Sequence, residues 1–307
     1  MNINLNRNIV KYIFDHMKLY NDNNNFNFKK CNCIFPPKKR IIAIGDIHSD
    51  FYALYMCLLR AKVININGEW IGGSTYVVQT GDILDGGGRG NIETDFIGEE
   101  FFIIEYLNYL DKEAKKQGGR VIRVLGNHEL MNIFEPNSRY LTNNSIKMFG
   151  SLKNRNKSLS YNKNGCYRLI HNSSVLLRIG DWIFVHGGLL PHHLYNNTIQ
   201  DINNKFYNIF NTNSSSNDCD ILYFNDDSIF YNRVYSDDED NKYAKKCMNE
   251  LKRNLDIKGM VVGHSVQNNI NKKNDVWRID IGLSSAFNKK TNYNVLEILD
   301  NNNVNII

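Results

Sequence analysis

Arg40-Ile41-Ile42-Ala43-Ile44-Gly45-Asp46-Ile47-His48-Ser49-Asp50 decides the fold. Four apolar residues in unbroken succession read as a strand buried on both faces, since a half-buried strand would alternate. Gly45 stops the run, and an aspartate and a histidine follow two positions apart. Asp50 then offers an N-cap to a helix over Phe51 to Ala61. The pattern repeats downstream. Tyr76-Val77-Val78 is the next strand and runs into Gly81-Asp82-Ile83-Leu84-Asp85. Phe96 to Lys116 has helical periodicity, and Val121-Ile122-Arg123-Val124-Leu125 leads into Gly126-Asn127-His128-Glu129. This β-α-β-α-β order predicts an α/β sheet.

Later strands are Val175 to Ile179 and Trp182 to Val185, which flank a two-residue Gly180-Asp181 link and predict a hairpin. Met260-Val261-Val262, Val276 to Ile279 and Val295 to Leu299 complete the set, so mixed strands are expected. Residues 1 to about 38 read as an Asn-rich extension with a short amphipathic helix over Ile9 to Leu19, closed by Pro36-Pro37. The catalytic domain is expected over 39–307. Between about 191 and 258 Asn, Asp and Ser dominate, and a helical or loop cap is expected; its acidic run Asp237-Asp238-Glu239-Asp240 reads as a solvated loop.

The chain has 307 residues, 42% of them hydrophobic, which supports a sizeable core and excludes global disorder. The net charge of +5 suits an anionic substrate without indicating nucleic acid. Lysines and arginines look scattered, with no long basic stripe. Six cysteines show no zinc-finger spacing and read as free thiols of a reducing compartment. No signal-peptide core and no apolar run near the roughly 20 residues of a membrane span is seen. A soluble intracellular protein, cytoplasmic by default, is expected.

The chemistry lies in five blocks: Gly45-Asp46-Ile47-His48, Gly81 to Asp85, Gly126 to Glu129, His186-Gly187-Gly188 and Gly263-His264. Each ends on metal-ligand residue types and follows an apolar run, which in open α/β sheets is where ligand crevices form. Carboxylate oxygens and imidazole nitrogens arriving together suit divalent cations. Two cations about 3.5–4 Å apart would activate water and neutralise phosphate charge, and an anionic donor such as Asp82 suits a shared ligand. Asp46 and His48 are candidates for one ion; Asn127, His186 and His264 can complete the other. His128, adjacent to Asn127, diverges from it and is a candidate general acid, with Asp85 to orient it. His16, His171, His192 and His193 lack such context and read as exposed or helix-end histidines.

The set resembles the calcineurin-like metallophosphoesterases, in particular the phosphoprotein phosphatase family. Leu125 to Asn132 continuing to Arg139-Tyr140, Val185 to Leu189, Val261 to Ser265 and Arg278 to Gly282 resemble its Shewanella-like branch. The resemblance implies mixed β-sheets in a sandwich flanked by α-helices. It implies two divalent ions of the manganese, iron or zinc type, one held by Asp46, His48 and Asp82, the other by Asp82, Asn127, His186 and His264. It implies His128 with Asp85 as acid dyad, and a phosphorylated protein or other phosphoester as substrate. Substrate phosphate would be bound by Asn127 and by Arg233, in Phe230-Tyr231-Asn232-Arg233. A second family arginine has no counterpart, because Gly86 stands there; Arg89 is either a substitute brought in by the flexible Gly86-Gly87-Gly88 run or a residue of a solvated loop. The expected activity is a protein phosphatase for phospho-Ser/Thr or phospho-Tyr. A dinucleoside-polyphosphate hydrolase or phosphodiesterase on the same core, and an inactive phosphoprotein-binding module, are the alternatives.

Overall fold

A computed structural model describes residues 3–18, 32–88, 97–136, 139–161, 166–212, 220–236, 241–287 and 292–307. The decisive stretch forms β2 (Arg40–Ile44), which follows α1 (Arg7–Lys18) and β1 (Ile34–Phe35) and leads into α2 (Phe51–Arg60). Asp50 caps α2 as expected, its Oδ1 accepting from the Ala53 amide at 2.9 Å. Next come β3 (Tyr76–Gln79), α3 (Glu100–Lys115), β4 (Arg120–Val124) and α4 (Asn127–Phe134). These are followed by α5 (Asn143–Met148), α6 (Leu152–Leu159), α7 (Tyr167–Ile170) and β5 (Ser173–Ser174). The hairpin joins β6 (Leu176–Ile179) to β7 (Trp182–Val185), with Ile179 opposite Trp182 across Gly180-Asp181. After α8 (Ile199–Thr212) and α9 (Lys242–Leu255) come β8 (Gly259–Val262), β9 (Asn271–Lys273), β10 (Val276–Arg278), β11 (Leu296–Leu299) and β12 (Asn303–Ile306).

Two six-stranded mixed sheets result. The first has the order β12-β11-β2-β3-β4-β5 and the second β1-β6-β7-β8-β10-β9. β2 to β5 are parallel, and so are β7, β8 and β10. Alternation along the second sheet shows how the layers sit. Leu177, Ile179, Phe184 and Val261 join one core cluster with Ile41 to Ile44 of β2. Leu176, Ile183, Val185, Met260 and Val262 face the other way, into a cluster with Ile202 and Phe206 of α8 and Met248 and Leu251 of α9. The sheets therefore pack face to face, and the cap helices cover the outer face of the second.

The expected extension contributes to this body. Ile9 and Ile13 of α1 are fully buried in the first cluster, and the Tyr12 ring meets Tyr109 of α3 edge-on at 5.3 Å. β1 adds a parallel strand to β6. Packing does not break near residue 38. The helix expected from Phe96 starts at Glu100; Phe96 itself, the acidic run 237–240, Cys31 and Cys219 lie outside the described residues. Cys33, Cys57, Cys166 and Cys247 are buried, and among the described residues none forms a disulfide. His193 is a helix-end histidine, in the short 3-10 helix Pro191–Leu194, and is buried rather than exposed. It is 1% exposed, with Nδ1 accepting from the Leu190 amide and Nε2 against the Asp227 carbonyl. Among the described residues no helix is long and apolar enough to cross a membrane.

Because Ile13 fills core volume, Ile13→Ala is expected to lower unfolding free energy by about 2–5 kcal/mol. Urea denaturation checks this; a change near zero would mean that α1 is detached in solution.

Candidate metal centre

Five loops leave the carboxyl ends of β2, β3, β4, β7 and β8 and carry Asp46 with His48, Asp82 with Asp85, Asn127 with His128, His186 and His264. All eight side chains are buried. Backbone strain concentrates here, with left-handed φ at His48 (43°), Asp82 (54°), Asp85 (65°) and His264 (68°). The glycines of the motifs clear space for ligands. A Cβ on Gly126 would lie 2.2 Å from Asp82 Oδ1, and one on Gly263 would lie 2.3 Å from Asp46 Oδ1.

Asp82 is the centre. Its Oδ2 lies 3.8 Å from His48 Nε2 and 4.0 Å from His128 Nε2, and its Oδ1 lies 3.3 Å from His186 Nε2. Two donor groups close enough to hold an ion share this carboxylate: His48, Asp82 and His128, and Asp82, His186 and His264. Asn127 Oδ1 sits 2.9 Å from both His186 Nε2 and His264 Nδ1. Asp46 Oδ2 accepts from the His264 amide at 3.0 Å. Its other oxygen is buried with no hydrogen-bond partner among the described residues. His128, expected apart from the ligands, thus approaches the first group, and Asp46 reaches toward the second.

The donors fit divalent cations by a test independent of distance. His48 Nδ1 donates to the Leu84 carbonyl, His186 Nδ1 to Thr80 and His264 Nε2 to Tyr231, at 3.1, 2.8 and 3.1 Å. In the neutral ring this leaves the second nitrogen unprotonated and turned toward Asp82 or Asn127, the tautomer that metal-binding histidines adopt. Lone pairs facing lone pairs require positive charge between them. Carboxylate crowding says the same. Burial, then Asp280 and Asp82, hold the Asp46 carboxyl well above its usual range. Burial also opposes an ionised Asp82, but His186, His128 and His48 hold it well below. Burial, His186 and Arg233 push His264 down to about 3, so it is neutral, as a ligand must be.

Beside this cluster, His128 Nδ1 meets Asp85 Oδ2 at 2.8 Å. Sequence motifs did not show what holds Asp85. Asn132 donates to the same oxygen at 2.7 Å, and Arg155 Nη2 to Oδ1 at 3.3 Å. Arg155 is fully buried and also donates to both Glu100 oxygens (2.7 and 2.9 Å) and to Asn132 Oδ1 (2.7 Å). Burial would raise the Glu100 carboxyl, yet Arg155 holds it below its usual range. Arg155 comes from a polar stretch without motif character, so only the three-dimensional pairing reveals it.

Gly86 is closed to any side chain. A Cβ there would lie 2.6 Å from Ile97 Cδ1 and 2.9 Å from the His48 carbonyl oxygen. Arg89 lies outside the described residues. Arg233 Nη1 donates to Ser265 Oγ (2.6 Å) and to the His264 carbonyl (3.3 Å). On the acid's side the Tyr140 ring lies edge-on to His128 at 4.9 Å, and the Arg139 guanidinium stacks over Tyr140 at 4.9 Å.

A model of the calcineurin-like phosphoesterase family matches residues 39–268. Shewanella-like protein phosphatase 2 of Arabidopsis thaliana is 28% identical over 82% of this chain and 73% of its own length. Shewanella-like protein phosphatase 1 of Plasmodium berghei is 33% identical over 85% of this chain and 72% of its own. Among solved structures, the cold-active protein-tyrosine phosphatase of a psychrophilic Shewanella species superposes with a TM-score of 0.71 at 18% identity, covering 91% of this chain and 83% of that one.

Two outcomes are expected at this centre. Asp82→Asn removes the shared anionic donor and should abolish Mn²⁺ binding measured by calorimetry; unchanged affinity would show that Asp82 is not a ligand. Gly86→Arg should destabilise the fold by about 1–3 kcal/mol through overpacking, read from the denaturation midpoint.

Proposed function

Because the chain belongs to the calcineurin-like phosphoesterases, hydrolases of phosphoric ester bonds, we propose that it is a protein phosphatase for phospho-Ser/Thr or phospho-Tyr with a two-cation site. The observation that carries the two-cation reading is the sharing of Asp82 between two donor groups. Asp46, His48 and Asp82 hold one ion; Asp82, Asn127, His186 and His264 hold the other. The mixed nitrogen and oxygen donors suit manganese, iron or zinc. Bound cations would acidify water and neutralise the charge of the phosphate. The names of the relatives support a phosphoprotein substrate.

The remaining chemistry belongs to the chain's own side chains. His128, with Nδ1 on Asp85, presents Nε2 toward Asp82 and the reacting centre. It protonates the departing alkoxide or phenoxide. Asn132 and Arg155 fix Asp85, so the imidazole is oriented before substrate arrives. Arg233, anchored to the Ser265 hydroxyl and otherwise exposed, would bind the substrate phosphate together with Asn127. With Gly86 closed to a side chain, the second arm of the clamp is absent from that position, which favours a weak binder of phosphate oxygens.

His128→Asn should leave cations bound and lower kcat about 10²–10⁴-fold on an alkyl phosphomonoester. The loss should be much smaller on nitrophenyl phosphate, whose leaving group hardly needs a proton. Equal losses on both esters would remove His128 from the acid role. Faster hydrolysis of bis-nitrophenyl phosphate than of the monoester by the unaltered protein would favour the diesterase reading. Binding of phosphopeptide without turnover, metals present, would favour the inactive module.

A further inference from the structure

The expectation of scattered cations fails on α9. Lys242, Lys245, Lys246, Asn249, Lys252 and Arg253 share one helix face and line a single surface depression. The opposite face, Ala244, Cys247, Met248 and Leu251, is buried in the cap core. Lys252 pairs with Asp275 at 2.6 Å, and Lys272 draws on the same carboxylate at 2.9 Å. Among the described residues no carboxylate lies within ion-pair distance of Lys242, Lys245, Lys246 or Arg253.

This arrangement costs stability. Lysines three and four positions apart repel on a helix. Three of them occupy the first turns, where the helix dipole favours anions, and the first turn has no acidic residue. Beyond the chain's own acidic run 237–240, which lies outside the described residues, the stripe suits a partner of opposite sign. Its position identifies where that partner comes from. Asn241 caps α9 and donates to the Val234 carbonyl at 3.0 Å, next to Arg233. The stripe thus begins beside the proposed phosphate arm and runs outward about 20 Å, the length of roughly six extended residues. The helix has no exposed apolar face to enter a bilayer, which argues against a membrane surface.

We infer that the α9 stripe docks an acidic segment flanking the phosphorylated residue of a protein substrate. This rests on the protein phosphatase reading. The test compares two phosphopeptides, one with six acidic flanking residues and one with neutral flanks, beside nitrophenyl phosphate. The variants are Lys242→Glu/Lys245→Glu/Lys246→Glu and the neutral Lys242→Gln/Lys245→Gln/Lys246→Gln, each checked for an unchanged denaturation midpoint. The unaltered enzyme should prefer the acidic peptide about tenfold or more in kcat/KM at low salt, and the preference should fade as salt screens it. The Glu variant should lose that preference, the Gln variant should lose part of it, and nitrophenyl phosphate turnover should stay. Equal kcat/KM for both peptides in the unaltered enzyme would overturn the docking and leave the phosphatase reading intact. Turnover of nitrophenyl phosphate with neither peptide cleaved would overturn that reading instead. Lysine-dependent binding to phosphatidylserine vesicles or duplex DNA without peptide discrimination would assign the stripe to those surfaces and overturn the proposal.

Discussion

The Glu129 carboxylate holds the centre together. One oxygen accepts the amides of Asp82 and Gly126, both at 2.7 Å, and the other accepts Ile83 at 2.9 Å and Leu84 at 3.2 Å. Four donors on one buried anion lock the loop after β3 to the loop after β4. Asp82 and Asp85 keep left-handed backbones only because their surroundings leave no alternative. Asp82 Oδ1 in turn accepts the His128 amide at 2.9 Å, so Asp82 and His128 are placed by one connected set of bonds. Truncating Glu129 would disturb metal donors and acid together although it touches neither ion nor substrate.

Much of this was legible in the chain, and the reason is local. A continuous apolar run followed by Gly-Asp or Gly-Asn encodes both a buried strand and the turn beyond it. The five motif loops therefore arrive at one edge because parallel strands point the same way. The position of Asp82 between two donor groups and the pairing of Asp85 with His128 were expected from chemistry and spacing. What escaped depends on residues far apart in sequence. Arg155 and Glu100 have no motif, and their meaning arises from meeting in a site from which water is excluded. The Gly86 substitution looked like lost chemistry alone, and only packing shows Ile97 in the space a side chain would need. The α9 stripe was readable at helical spacing, but linear inspection counts lysines without assigning them a face.

The two halves of the centre differ in how they are supported. The β2–β4 side rests on α2 and α3, which feed the larger core cluster, and on the buried Arg155 network. The His186 and His264 side rests on the second sheet and the cap, where Tyr231 holds the His264 ring and Tyr235 donates to the Leu189 carbonyl at 2.7 Å. Relatives that keep the strands and exchange the cap would keep the ions while changing what reaches them. Substrate choice is thus separable from chemistry on this scaffold.

The pairing of β11 with β2 has a consequence for biogenesis. Leu299 lies opposite Arg40 and Leu296 opposite Ala43, so the strand that delivers Asp46 is bordered by residues made long after it. During synthesis β2 and β3 pair early, but the far side of β2 stays an open ladder until the C-terminal hairpin emerges. Such long-range closure makes folding slow and leaves nascent chains prone to edge-to-edge association. The first sheet, and with it the seat of Asp46, is therefore completed only once β11, far downstream of β2, has been made.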